Sequence, residues 1–195
     1  MGLFAGSATE NDTGTHGTTS GPDETNKESG YLGLGYMSVF IEKSLGDRAF
    51  VGFDYVPSAL ESDTKDQIRN DKTTAATEGA SEVTQKIQVD FEDLRKFYLG
   101  LNVTENMYVS AGLLMVDVVT NESLGTGSKY GDTDMDGVAF GVGYNKTSDS
   151  GMFFRFEGNY LQFDGVSLKS DTGVNKITIN NLDGVTGKFS VGKSF

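Results

Sequence analysis

The segment Asp132-Thr-Asp-Met-Asp-Gly137 matches the opening of a calcium loop, in which alternating carboxylates and a glycine turn wrap one hard cation. The position that should close such a loop with a bidentate Glu falls on Gly143, inside an apolar alternating run, and no helical pattern flanks the segment. Asp132, Asp134 and Asp136 are therefore candidates for a weak surface Ca²⁺ site, with an acidic, solvated loop end as the plainer account. His16 is the single histidine and cysteine is absent, so thiolate chemistry, disulfides and multi-His metal sites are ruled out. Ser62 and Asp63 head a polar stretch that could approach His16. Gly14, Thr15, Gly17 and Thr18 around that histidine offer no rigid frame, and catalysis needs geometry held to fractions of an ångström. The chain reads as a non-enzyme without a cofactor. Gly33-x-Gly35 and Gly141-x-Gly143 lie inside strand patterns with no following helix, so they do not form a phosphate cradle.

The formal charge of −12 opposes nucleic-acid binding, which needs a basic face. Most of the excess acid sits in polar stretches, the mark of a solvated surface. Mean hydropathy is −0.32 and no run of about 18 apolar residues occurs, so a transmembrane helix is excluded. A membrane strand is not, because alternation keeps average hydropathy low. Glycine is abundant (26), Phe (13) and Tyr (8) are frequent, and only 2 prolines occur, as expected of long strands that need their backbone donors.

Period-2 alternation between turn signals predicts eight strands, near 2–9, 30–44, 49–60, 84–103, 107–121, 134–147, 151–169 and 177–195. In the sixth, Val138, Phe140, Val142 and Tyr144 alternate with Ala139, Gly141, Gly143 and Asn145. In the seventh, Phe154, Phe156 and Tyr160 oppose Arg155, Glu157 and Asn159. The second can turn Leu32, Leu34 and Tyr36 outward, but Met37, Val39 and Ile41 then face inward unless a bulge intervenes. The fifth is ambiguous at Leu113–Val116. Connections alternate between long polar stretches (10–29, 61–83, 122–133, 170–176) and short turns at 45–48, 104–106 and 147–151. The stretches at 10–29 and 61–83 hold almost no aromatic residues and are expected to stay without order of their own. Asp54, Arg155, Glu157 and Lys188 all fall on the small or polar face of their strands.

Those features resemble the small eight-stranded outer-membrane barrels that include the OmpA transmembrane domain, OmpX and the opacity proteins. The resemblance rests on the alternation, the order of loops, and the last strand, Lys188-Phe-Ser-Val-Gly-Lys-Ser-Phe195, which ends on an aromatic residue. Lys193 departs from the apolar residue usual in that family. The resemblance implies an all-β fold: an eight-stranded, antiparallel, up-and-down transmembrane barrel, one domain over 1–195, with short periplasmic turns and long extracellular loops. It implies a monomer in the lipid bilayer of the outer membrane, exported with a signal peptide that is absent from this chain and taken as removed. Phe195 would be the signal read by the barrel-assembly machinery, and Asp54, Arg155, Glu157 and Lys188 an interior charge network plugging the barrel. The role implied is structural or surface-interactive: envelope integrity, adhesion, or reception of an extracellular ligand, host surface or phage. Two other readings fit the same pattern, a small channel for ions or small solutes and a soluble lipocalin-like ligand-binding barrel.

Overall fold

A computed structural model describes the chain except residues 13–14, 17–18, 21–23, 59, 62–64, 72–80, 125–128, 172–174 and 195. Among the described residues the fold is all-β and antiparallel, without helices. The strands are β1 (Gly2–Asp12), β2 (Thr15–His16), β3 (Thr19–Ser20), β4 (Glu24–Leu34), β5 (Val39–Leu45), β6 (Ala49–Val56) and β7 (Leu60–Glu61). They continue with β8 (Lys65–Asp71), β9 (Ser81–Asn102), β10 (Met107–Leu124), β11 (Thr133–Thr147), β12 (Met152–Phe163), β13 (Val166–Lys169) and β14 (Asn175–Lys193). Twelve of them form one sheet whose path runs β4-β1-β14-β12-β11-β10-β9-β6-β5, with β13 on β14 and both β7 and β8 on β9. The path is open, and its two ends, β4 and β5, are separated along the chain only by residues 35–38. β2 and β3 pair with each other.

The sheet is rolled. β12 and β5 stand five places apart along the path, about 24 Å if the sheet were flat. Yet the Arg155 guanidinium on β12 donates to both carboxylate oxygens of Glu42 on β5, at 2.6 and 2.7 Å. Lys188 on β14 likewise reaches Asp54 on β6. One face therefore lies inside and the other outside.

Strands fall on each of the eight stretches read from the sequence, but the sheet holds twelve strands and its path does not close. The second divides at 35–38 into β4 and β5, and the seventh at 164–165 into β12 and β13. Two expectations fail. Leu32, Leu34 and Tyr36 turn inward against the core, while Met37, Val39 and Ile41 are exposed, and alternation runs unbroken from 31 to 42 with no bulge. The inner face at that level is apolar, so an apolar residue on either face satisfied the pattern. The stretches at 10–29 and 61–83 are also not wholly loop. β1 and β4 pair out to Asp12↔Glu24, and β8 pairs β9 from Lys65↔Ile87 to Asp71↔Ser81. The sequence there is polar at both alternating sets of positions, which erases the period-2 signal while leaving the backbone ladder intact. The fifth segment resolves cleanly: Leu114, Val116 and Val118 are buried, and Leu113 and Met115 exposed. A bulge opposite Val116 sits at Asp93, which takes a positive φ of 52° and accepts a hydrogen bond from the Tyr55 hydroxyl.

The interior is layered. Beside the short turns sit Phe50, Tyr98 and Tyr108. Beyond them lie the charged side chains, and farther still an apolar layer containing Phe4, Val56, Leu94, Leu114, Leu161 and Phe163. β12 shows the order along one strand, with Phe153, Arg155, Glu157, Asn159, Leu161 and Phe163 inward in turn.

Candidate functional site

Each charged side chain of the middle layer is placed by strand alternation, which points every second residue inward. Glycines on the neighbouring strands make room beside it. A Cβ at Gly52 would strike the Tyr98 ring, one at Gly100 the Phe50 ring, and one at Gly143 the Tyr108 ring. The rings thus lie flat across glycine backbone and close the floor beneath the charges. Phe50 and Tyr108 meet edge-on with centroids 5.3 Å apart. Gly33 and Gly35 differ: they face outward with open space where a Cβ would stand, so they make no interior room.

Three cations and three anions occupy the layer, Lys96, Arg155 and Lys188 with Glu42, Asp54 and Glu157, so its formal charge is zero. Arg155 grips Glu42 with two parallel bonds, the geometry in which a guanidinium fork matches a carboxylate. Its carbon also lies 5.0 Å from the Tyr108 ring centre and 5.3 Å from that of Phe40, within cation–π reach. The Tyr98 hydroxyl donates to the same Glu42 oxygen at 2.6 Å. Glu157 accepts from Lys96 at 3.2 Å, from Asn159 at 2.9 Å and from the Tyr108 hydroxyl. Asn159 accepts in turn from Lys96 at 3.2 Å and donates to Thr186 at 3.3 Å. Lys188 pairs with Asp54 and lies 5.0 Å from the Phe40 ring centre. Buried charges at this density persist only when paired and hydrogen-bonded, since an uncompensated one costs several kcal/mol.

Asp54, Arg155, Glu157 and Lys188 thus stand in one layer, with different partners from those suggested by sequence proximity. Arg155 and Glu157, two apart on one strand, do not pair with each other; each finds its partner across the interior. Glu42 and Lys96 complete the set and were missed. Lys96 sits inward in β9, where Phe97, Leu99 and Leu101 alternate with Tyr98, Gly100 and Asn102, so the period-2 pattern extended by one step places it on the inner face. Glu42 lies in the segment whose facing was ambiguous.

The cation-site reading of Asp132, Asp134 and Asp136 is corrected. Asp134 and Asp136 lie in β11, exposed on its outer face, and Asp132 accepts from the Thr120 amide at 3.2 Å. An extended strand spreads alternate carboxylates along a line instead of curling them round an ion. Among the described residues no three acidic or histidine side chains converge on a cation site. His16 lies in β2 paired with Thr19, while Ser62, Asp63 and Phe195 lie outside the described residues.

Two interior hollows among the described residues are small. One lined by Tyr36, Asp54, Lys96 and Asn159, and another lined by Phe4, Leu34, Phe91 and Phe163, are each about 30 Å³. That is one water's share of the liquid. The outer face, by contrast, exposes large apolar side chains on nearly every strand of the path. They include Leu3 on β1, Ile41 on β5, Leu99 on β9, Val109 and Leu113 on β10, Phe140 and Val142 on β11, Phe156 on β12 and Phe189 on β14. On β10 the band runs from Met107 to Met115, about 26 Å along the strand at ~3.3 Å per residue. Asp136 on β11 stands level with Met115 at the edge of the band, and beyond it the outward residues are Asp117 and Asp134.

No protein-family model matches the chain, and no curated protein matches it either.

Proposed function

We propose that the chain is an eight-stranded, up-and-down β-barrel of the bacterial outer membrane, related to the OmpA- and OmpX-like barrels, with an occluded core and a structural or surface-interaction role. The observation that carries the reading is the apolar band round the outside of a rolled sheet whose inside holds a neutral charge network. Soluble proteins seldom expose a contiguous apolar patch beyond a few hundred Å². Tilted by about 40°, the 26 Å run on β10 rises ~20 Å, close to the ~25 Å apolar belt of outer-membrane barrels. β4 and β5 count as one strand in this reading, because their alternation is continuous across 35–38, and so do β6 to β8 and β12 with β13.

An ion path would have to break the paired charges and then cross the apolar layer around Leu114 and Phe163. That favours a plug over a channel. The wide outward apolar band disfavours a soluble carrier. The hairpins at the end remote from the short turns extend past the band, with β9 reaching 22 residues where about 9–11 suffice to cross. Such projecting, polar, paired hairpins suit contact with an external ligand, a host surface or a phage. The test is refolding into vesicles followed by flotation, and electrophoresis in SDS with and without boiling. A band that runs faster before boiling, from protein that floats with lipid, is expected. Protein left in the aqueous phase and a boiling-independent band would refute the proposal.

A further inference from the structure

The wall between β4 and the strands that follow β6 is not zipped by hydrogen bonds. β5 and β6 pair from Leu45↔Ala49 up to Val39↔Tyr55. Two residues higher the same register would set Met37 against Pro57, which has no backbone N–H to give to a ladder. Above that point β4 pairs only with β1, and β7 and β8 pair only with β9, so among the described residues a seam runs between β4 and β7. It opens at the upper rim of the apolar band: Leu60 pairs with Phe91 and Phe91 with Val118, one residue past Asp117. Behind the seam lies the apolar hollow of about 30 Å³, lined by Leu32 and Leu34 from one lip and Leu60 from the other, with side chains that are all hydrocarbon. Leu32 and Leu34 turn inward yet are only half-buried, as are Phe91 and Leu182, whereas Phe4, Leu161 and Phe163 in the same layer are 4–5% exposed. Inward side chains stay that accessible only where the wall beside them is open. On the outside, Gly33 and Gly35 hang no side chain over the lip, and Tyr31 is 84% exposed against 43% for Tyr160, whose strand has neighbours on both sides. Below the hollow, Asp54, Lys96 and Lys188 close the floor, so the seam leads into the apolar layer and no farther.

We propose that the seam is a lateral entrance through which the barrel takes up the tail of a fatty acid, with the chain end seated in the hollow and the carboxylate left at the rim. The inference rests on the membrane-barrel reading and adds a ligand to it. The lining selects the occupant. It offers no hydrogen-bonding group, so a polar moiety inside would be stranded, while a hydrocarbon tip loses nothing by leaving lipid. A hollow this small takes the tip of an unbranched chain and refuses a ring. Because no ladder bond ties β4 to β7, the lips can part to admit the chain without breaking backbone pairing. The position of the seam fits the same ligand. At the rim of the band, water and headgroups can satisfy the unpaired backbone of both lips, which the middle of the bilayer could not do. The carboxylate meets water there as well, while the tail arrives from the lipid that the outer band already faces. With the charged layer beneath it, the site holds the chain and does not pass it across the membrane.

The experiment uses the chain refolded into phosphatidylcholine vesicles, isolated by flotation and loaded with a palmitic acid analogue that carries a diazirine on its terminal carbon. After irradiation, adducts are mapped by mass spectrometry. Phe140 and Val142 on the outer band should be labelled by probe in the bulk bilayer, and Leu32, Leu34 and Phe91 by probe that has entered the seam. Excess unlabelled palmitate should lower the inward adducts at least fivefold and leave the outward ones unchanged, because only the inward site saturates. Leu34→Trp, which fills the hollow, should abolish labelling at Leu32 and Phe91 with outward labelling intact. Leu60→Phe carries the same test from the opposite lip if the tryptophan variant does not fold. Absence of inward adducts in the parent would overturn the proposal, as would inward adducts undiminished by palmitate or by a folded hollow-filling variant. Failure of the parent to float would instead overturn the membrane-barrel reading, and the entrance with it, while flotation with any of the former results would leave that reading standing.

Discussion

Replacing Glu157 with Ala should destabilise the fold more than any other single truncation in the charged layer. Glu157 is 7% exposed and accepts from Lys96, Asn159 and Tyr108, each donating from inside the sheet. Its removal leaves the Lys96 ammonium, itself 8% exposed, with only the Asn159 carbonyl oxygen at 3.2 Å and the Tyr98 ring at 4.8 Å as partners. Breaking one side of a buried pair costs about 3–5 kcal/mol, most of it the stranded charge. At ~1.4 kcal/mol per tenfold that is a loss of roughly a hundredfold to several thousandfold in the folding constant. The assay is urea unfolding in vesicles, followed by the electrophoretic shift between folded and unfolded bands. The double change Lys96→Met with Glu157→Leu removes both charges and should recover most of the loss, because a well-packed apolar pair often matches a buried ion pair. A Glu157→Ala variant within about 1 kcal/mol of the parent, or a double variant worse than the single one, would refute the reasoning.

On the outer face, Val142→Arg should cost about 2–4 kcal/mol in vesicles and Asp134→Arg close to nothing, because only the first places a charge in the apolar belt; equal effects would erase the assigned boundary. Gly100→Ala drives a methyl into the Phe50 ring and should cost about 1–3 kcal/mol, with Phe50→Leu restoring part of it in the same unfolding assay. Planar-bilayer recordings should show no steady conductance for the parent, and steady, reproducible steps would contradict the occluded core.

How much of this was legible depended on whether the two faces of a strand differ. Where one face is aromatic or branched and the other holds glycine, charge or amide, as at 138–144 and 153–160, residue types alone fix the facing. That is why the residue types of β12 alone place Arg155 and Glu157 inward. Where both faces are apolar, as at Leu32–Ile41 and Leu113–Val116, the pattern has two solutions and only the neighbouring strands decide between them. Where the sequence itself is polar nearly throughout, as from Lys65 to Asp71, the ladder forms without leaving a pattern, so β8 is indistinguishable from loop in the sequence. Partners across the interior were least legible. Arg155 and Glu42 are 113 residues apart, and their meeting depends on the roll of the whole sheet. The Asp132–Asp136 motif misled for a related reason: its spacing suits a loop, whereas β11 holds it extended.

Whether the apolar outer band lies in lipid is read out by spin labels on single cysteines, since the chain has none of its own. Labels at Phe140, Val142, Val109 and Leu113, with Asp134 for comparison, would be read in vesicles against oxygen, which concentrates in lipid, and a water-soluble nickel chelate. Oxygen should dominate at the first four positions and the chelate at Asp134. Chelate access at Val142 and Leu113 equal to that at Asp134 would contradict it.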